Sequence, residues 1–179
     1  MTTEPADRAI EPDTKDWTWV LDRLCQECGL DTRTVRGEDV AGRLRANAAA
    51  WVRVLERPDV AVRPEPGIWS PLEYACHVRD VHRIFVERVR SMLSVDDPLF
   101  ENWDQDVAAV QGAYGEQQPT SVAADLVAAT ADVADVYSGV EGTGWARSGR
   151  RSNGSVFTVL SLARYHLHDV EHHLVDVSG

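Results

Sequence analysis

The sequence predicts an all-α protein, an antiparallel four-helix bundle with an N-terminal extension. Three observations carry that expectation. Apolar residues recur three or four apart over four separate segments, each long enough for a bundle helix. The connections between them are loops able to reverse the chain, as a bundle requires. No segment alternates apolar and polar residues as a half-buried strand would, and no internal repeat is present. With 179 residues the chain can bury a substantial single core. It divides into an extension, residues 1–34, and a bundle, residues 35–179.

The elements follow in order. Residues 1–15, rich in Glu, Asp, Pro and Thr, read as a disordered tail. Residues 16–24 form a short helix with Trp17, Trp19 and Leu21, ending at a turn over residues 25–29. The first long helix spans residues 37–57 and directs Val40, Leu44, Ala48, Trp51 and Leu55 inward; Pro58, Pro64 and Pro66 break it. Ser70-Pro71-Leu72-Glu73 is a capping box with proline at the first helical position. The helix it opens runs to about residue 93, burying Tyr74, Val81, Phe85 and Met92, and stops at Asp96-Asp97-Pro98. A weaker segment carries Phe100, Trp103, Val107 and Tyr114, punctuated by Gly112 and Gly115. The third long helix, residues 121–137, turns Val122, Leu126, Ala129, Val133 and Val136 inward. A glycine-rich loop with Trp145 fills residues 139–154, and the last helix takes residues 155–177.

Charge narrows the function classes. The net charge of −11, from 18 basic and 29 acidic side chains, argues against a nucleic-acid partner, because binding phosphate needs concentrated positive charge. Arg147, Arg150 and Arg151 cluster locally and suit only a small anion. No apolar run is long enough to span a bilayer, and the N-terminus has no apolar core of a signal peptide, so a cytoplasmic protein without a membrane partner is expected.

Chemistry concentrates in the histidines. Four of the six, His166, His168, His172 and His173, fall within residues 166–173. His168 and His172 are four apart on a helix, which sets both imidazoles on one face where they can hold one metal ion. His77, on the second long helix, is the natural third ligand. The helical wheel leaves the choice open. His168 and His172 lie beyond one edge of the apolar arc and reach an interior only if another element covers that side, whereas His166 and His173 flank the opposite edge more closely. Hydrogen-bonded or solvated histidines would explain the same spacing.

From Trp51 onward the chain resembles the DinB-like superfamily of four-helix bundles. The landmarks are Trp69-Ser70-Pro71-Leu72-Glu73 followed by His77, then Asn102-Trp103-Asp104, Trp145-Ala146-Arg147, Phe157-Thr158-Val159, and the ending His168-x-x-x-His172-His173. The superfamily includes bacterial mycothiol- and bacillithiol-dependent S-transferases and maleylpyruvate isomerase. The resemblance implies a divalent metal held by one ligand from the second helix and two from the last: His77, His168 and His172, with His173 as the alternative to His172. It further implies a small-molecule thiol as cosubstrate and a small electrophile as substrate, with Trp103 and Arg147 as substrate-binding candidates. Frequent Ala, Val, Arg and Asp with a single Lys suggest a GC-rich genome, which suits an actinobacterium and therefore mycothiol.

Three imidazoles leave a divalent cation an open position, the pattern of a catalytic site, and Zn²⁺ and Ni²⁺ both suit such ligands. Asp80, Asp169 and Glu171 are candidates to orient the rings. For a general acid or base the chain offers His173, Tyr74 and Asp104. Cys25-Gln26-Glu27-Cys28-Gly29 stands apart, outside the resemblance: it can bind metal with histidines from elsewhere, form a reversible disulfide, or sit in a turn. Reduced thiols with no catalytic duty are the expected state in a cytoplasm. Cys76, beside His77, is expected to pack as a small buried side chain. The function expected is a metal-dependent thiol S-transferase or isomerase; the alternative is a non-catalytic metal- or ligand-binding stress-response bundle acting as a homodimer.

Overall fold

The structure, a computed structural model, describes Ile10 and residues 15–177. Apart from Ile10 and Lys15, the tail expected over residues 1–15 lies outside the described residues. Four long helices build the bundle: α1 (Gly37–Leu55), α2 (Pro71–Ser94), α4 (Pro119–Ser138) and α5 (Val159–Asp176), with the short α3 (Gln105–Gln111) between α2 and α4. Helices α1 and α2 follow one another in the chain, yet each packs chiefly against α4 and α5 and only lightly against the other. The pair therefore lies across the bundle from one another, and α2 and α5 become neighbours.

The local signals act as chemistry requires. Ser70 Oγ accepts from the Glu73 N–H at 3.2 Å and Glu73 Oε2 accepts from the Ser70 N–H at 2.8 Å, closing the capping box ahead of Pro71. Glu73 also receives the Arg63 guanidinium from the preceding connector. The apolar stripe of α1 is buried in full, with Leu44 and Trp51 at 0% exposure. Full burial of side chains of this kind is worth about 1.5–3 kcal/mol each. Asn47 on α1 donates to the Val170 carbonyl of α5 at 3.0 Å, and Arg43 grips Glu171 bidentately at 3.0 and 2.7 Å.

The sequence reading had no strands, and here the structure differs. Leu99–Phe100 (β1), Ser148–Arg151 (β2) and Val156–Thr158 (β3) form a sheet in the order β1-β2-β3, parallel then antiparallel. Strands of two to four residues are too short to display a period of two. β3 also takes Val156 out of the last helix, which begins at Val159 under a capping box of Thr158 and Ser161. A Cβ at Gly149 would lie 2.7 Å from Met92, so only glycine lets β2 approach α2 this closely. The sheet aims the chain after β1: the Asn102 N–H donates to Ser152 Oγ at 2.8 Å, which sends Trp103 towards α2.

The extension is not a detached arm. Its 3-10 turn Trp17–Leu21 and the turn Thr32–Thr34 both pack on α5. Val20, Cys25 and Thr32 are fully buried. Arg164 of α5 donates to the carbonyls of Arg33 and Val35, and Thr32 donates to the Val20 carbonyl. Among the described residues, no helix is long and apolar enough to cross a membrane.

Candidate metal centres

The two halves of the bundle bring chemistry together on one element, α5. Among the described residues, side chains able to ligate a metal gather in two groups, each with its ligand atoms within 4.8 Å of one another. One is His77, Asp169 and His173; the other is Cys25, Cys28, His168 and His172. The structure thus separates the histidines expected to act together: His77 meets the 169/173 face of α5, and His168 and His172 face the N-terminal extension. The physical reason is helical register. One residue along a helix turns a side chain by about 100°, so 168/172 and 169/173 are adjacent stripes aimed at different partners.

In the first group His77 is 1% exposed and its Nε2 stands 3.4 Å from Asp169 Oδ1. His173 Nε2 stands 3.9 Å from the same oxygen, while its Nδ1 pairs with Asp176 at 2.9 Å. The rings of His77 and His173 meet edge to face, centroids 5.0 Å apart. His77 Nδ1 is buried without a hydrogen-bond partner, and His77 Nε2 and Asp169 Oδ1 have at best the long 3.4 Å contact with each other. Each such atom costs about 1–3 kcal/mol, so the cluster is costly unless something binds it. Burial depresses the His77 pKa against the pull of Asp169, keeping the ring neutral and its lone pair free for a cation. Burial raises the Asp169 carboxyl, but the imidazoles around it prevail and hold it well below the usual carboxylate range. Two imidazoles and a carboxylate are the donors of an open catalytic site, and they fit a divalent ion.

Aromatic rings fix the first group in place. Trp103 stacks on His77 at 5.4 Å and 20°, Trp69 packs against its ring at 5.4 Å, and Tyr74 lies 5.0 Å from His173. Asp169 and His173, with His168 and His172 beside them, line a polar cleft of about 530 Å³ that has Trp17, Trp103, Asp104, Arg151 and Tyr165 on its walls.

The other expected site residues sort as follows. Trp103 and Asp104 reach the cleft, but the Asp104 carboxylate is occupied as the N-cap of α3, accepting from Asp106 at 3.1 Å and Val107 at 3.0 Å. Arg147 is tied elsewhere, to the carbonyls of Met92 and Val95 and to Asp96, so the cation of that cluster on the cleft wall is Arg151. Asp80 pairs with Arg79 and accepts from Tyr114, and Glu171 pairs with Arg43. His166 is in the core, where Nε2 lies 2.9 Å from His82 Nδ1 and a hydrogen bond links it to Tyr137. Cys76 packs as a buried thiol, which burial pushes up to about 12. Asp169 is the potential ligand that sequence reasoning had only as an orienting group; the structure places it with His77 and His173. Its signal was present: Asp169-x-x-x-His173 has the same four-residue spacing as His168-x-x-x-His172.

Comparisons with known proteins agree with this fold. A solved structure from Bacillus subtilis, YfiT, superposes with a TM-score of 0.65 at 16% identity, covering 88% of this chain and 89% of that one. It is described as a probable metal-dependent hydrolase with an unusual four-helix bundle topology. No curated protein matches the chain. The family model of the DinB superfamily matches residues 41–176, from within α1 to the end of α5, and the chain belongs to the DinB superfamily.

Proposed function

We propose that this protein is a metal-dependent enzyme that transfers a small-molecule thiol of the mycothiol type to a small electrophile, with His77, Asp169 and His173 as its metal ligands. The observation that carries the proposal is the convergence of buried His77 with Asp169 and His173, the last two lining an open cleft. A divalent ion bound there, Zn²⁺ or Ni²⁺ by ligand preference, supplies Lewis acidity that lowers the pKa of a thiol or water into the neutral range.

The remaining work falls to the chain itself. Trp103 and Trp69 clamp the His77 ring, so its donor atom keeps one direction. Asp176 holds the far nitrogen of His173, fixing that tautomer. Arg151, propped by Asn153 at 3.1 Å and by Ser155 at 3.2 Å, offers a cation on the wall for a carboxylate of thiol or electrophile. Thiol transfer asks for little acid–base equipment, because a thiolate needs mainly positioning. This matches a cleft in which Asp104 is already engaged as a helix cap.

A second reading is hydrolysis, favoured by the description of the B. subtilis structure as a probable hydrolase. One experiment separates the two. The metal-loaded protein is incubated with mycothiol and a panel of electrophiles, and in parallel with activated esters and amides. Thiol consumption that stops on chelation and in His173→Ala supports transfer. Metal-dependent product formation without thiol supports hydrolysis, and no metal dependence in either assay defeats both.

A further inference from the structure

The second group of ligand atoms belongs to no part of that chemistry. It joins the Cys-x-x-Cys of the extension to a stripe of α5 that the catalytic proposal leaves unused. We propose that Cys25, Cys28, His168 and His172 form a second, closed metal site, a tetrahedral zinc site that fastens the N-terminal extension to the last helix.

Four observations support it. All four ligand atoms lie within 4.8 Å of one another, with Cys25 Sγ 3.7 Å from His172 Nδ1. A tetrahedron with Zn–S of about 2.3 Å and Zn–N of about 2.0–2.1 Å has edges of roughly 3.3–3.8 Å, so small side-chain adjustments close it. Both cysteines are free thiols, with Cys25 fully buried, so two sulfur donors are available to an ion. The turn itself is built for presentation: Gly29 has φ +75, its N–H bonds the Cys25 carbonyl at 2.9 Å, and the Cys25 N–H bonds the Leu30 carbonyl at 3.0 Å. A side chain at position 29 would be strained in that conformation.

The histidines are prepared as well. His168 is 3% exposed and its Nε2 is buried with no hydrogen-bond partner. His172 has its Nε2 directed at Glu27, 3.3 Å away, and at Asp176, 3.7 Å away, leaving Nδ1 to face Cys25. A carboxylate on the far nitrogen is the usual support of a zinc-bound imidazole. Trp17 and Trp19 pack against this side, their rings 5.8 and 6.4 Å from His168, and His168 and His172 border the cleft beside Trp17. Two thiolates and two imidazoles fill the four positions zinc takes in structural sites, which leaves none for substrate.

The test uses the full chain loaded with Zn²⁺ or Co²⁺. About two ions per chain should be bound, one for each ligand set. The Co²⁺ form should show a sulfur-to-cobalt charge-transfer band that only cysteine ligation gives. His77→Ala should lose one ion and keep the band; Cys28→Ser should lose or strongly weaken it. If Cys28→Ser fails to fold, wild type decides: in the zinc-loaded chain Cys25 and Cys28 should resist alkylation and become reactive on chelation. Absence of the band in cobalt-loaded wild type, or thiols equally reactive with and without zinc, overturns the proposal. These readouts do not depend on turnover, so a failed catalytic proposal leaves them unmoved.

Discussion

Two clusters share one helix and differ in almost every respect that matters to a metal. His77, Asp169 and His173 supply three ligands beneath a cleft, with two aromatic rings holding the buried histidine. Cys25, Cys28, His168 and His172 supply four ligands, two of them thiols, between helix and extension. On α5 the two are offset by a single residue. Ligand count and donor type, rather than histidine spacing, separate an open site from a closed one. A third histidine pair, His82 with His166, sharpens the contrast: it is also buried, but its members bond each other and Tyr137, and among the described residues they join no group of potential ligands.

The contrast can be broken by substitution. The largest expected effect is on activity: His77→Ala should reduce metal-dependent turnover at least about a hundredfold, since an ion that loses one of three protein ligands is held poorly. Circular dichroism should show the bundle intact. Next is stability. Cys25→Ser should lower the melting temperature of the zinc-loaded protein by many degrees, because metal affinity at a structural site contributes directly to folding free energy. If both variants lost the same property in equal measure, the division of labour would fail.

A smaller effect concerns pH and uses the third histidine pair. Burial pushes the His82 pKa down from 6.5 to about 3. In the unfolded chain this ring takes a proton near 6.5, while in the folded chain it stays neutral. The stability linked to it is therefore complete above pH 6.5 and falls as pH drops towards 3, by up to about 1.4 kcal/mol per pH unit. Urea unfolding of wild type and His82→Leu across that window should show a shallower acid loss in the variant. The smallest effect is expected at the cleft wall. Arg151→Gln should raise KM for anionic substrates several-fold while leaving metal content unchanged, as removal of one partly exposed cation predicts.

Much of the bundle was legible from the chain. The α1 stripe of Val40, Leu44, Ala48, Trp51 and Leu55 is buried as its spacing requires, and Ser70 to Glu73 starts α2 where the capping box says it should. Both signals are local: a 3.6-residue period and a bond to an amide three residues on. The strands were illegible because none exceeds four residues, too few to display a period of two, and β1 finds its partner some fifty residues on, as Leu99 does in Arg150. Arg147 attracted attention as a cation in a loop, yet its guanidinium serves the end of α2.

By itself the sequence determined that there would be four amphipathic helices, that metal-ligating residues would crowd the last one, and that His77 would project from a well-capped second helix. Tertiary structure alone decided which histidine joins which group of potential ligands. His168 and His172 lie outside the apolar arc of α5, and they are buried only because Trp17, Trp19 and the Cys25 turn cover that side. His77 finds Asp169 and His173 because α2 packs beside α5, a neighbour set by the order of helices around the core. Spacing along a helix fixes which residues share a face, and only packing fixes what that face meets.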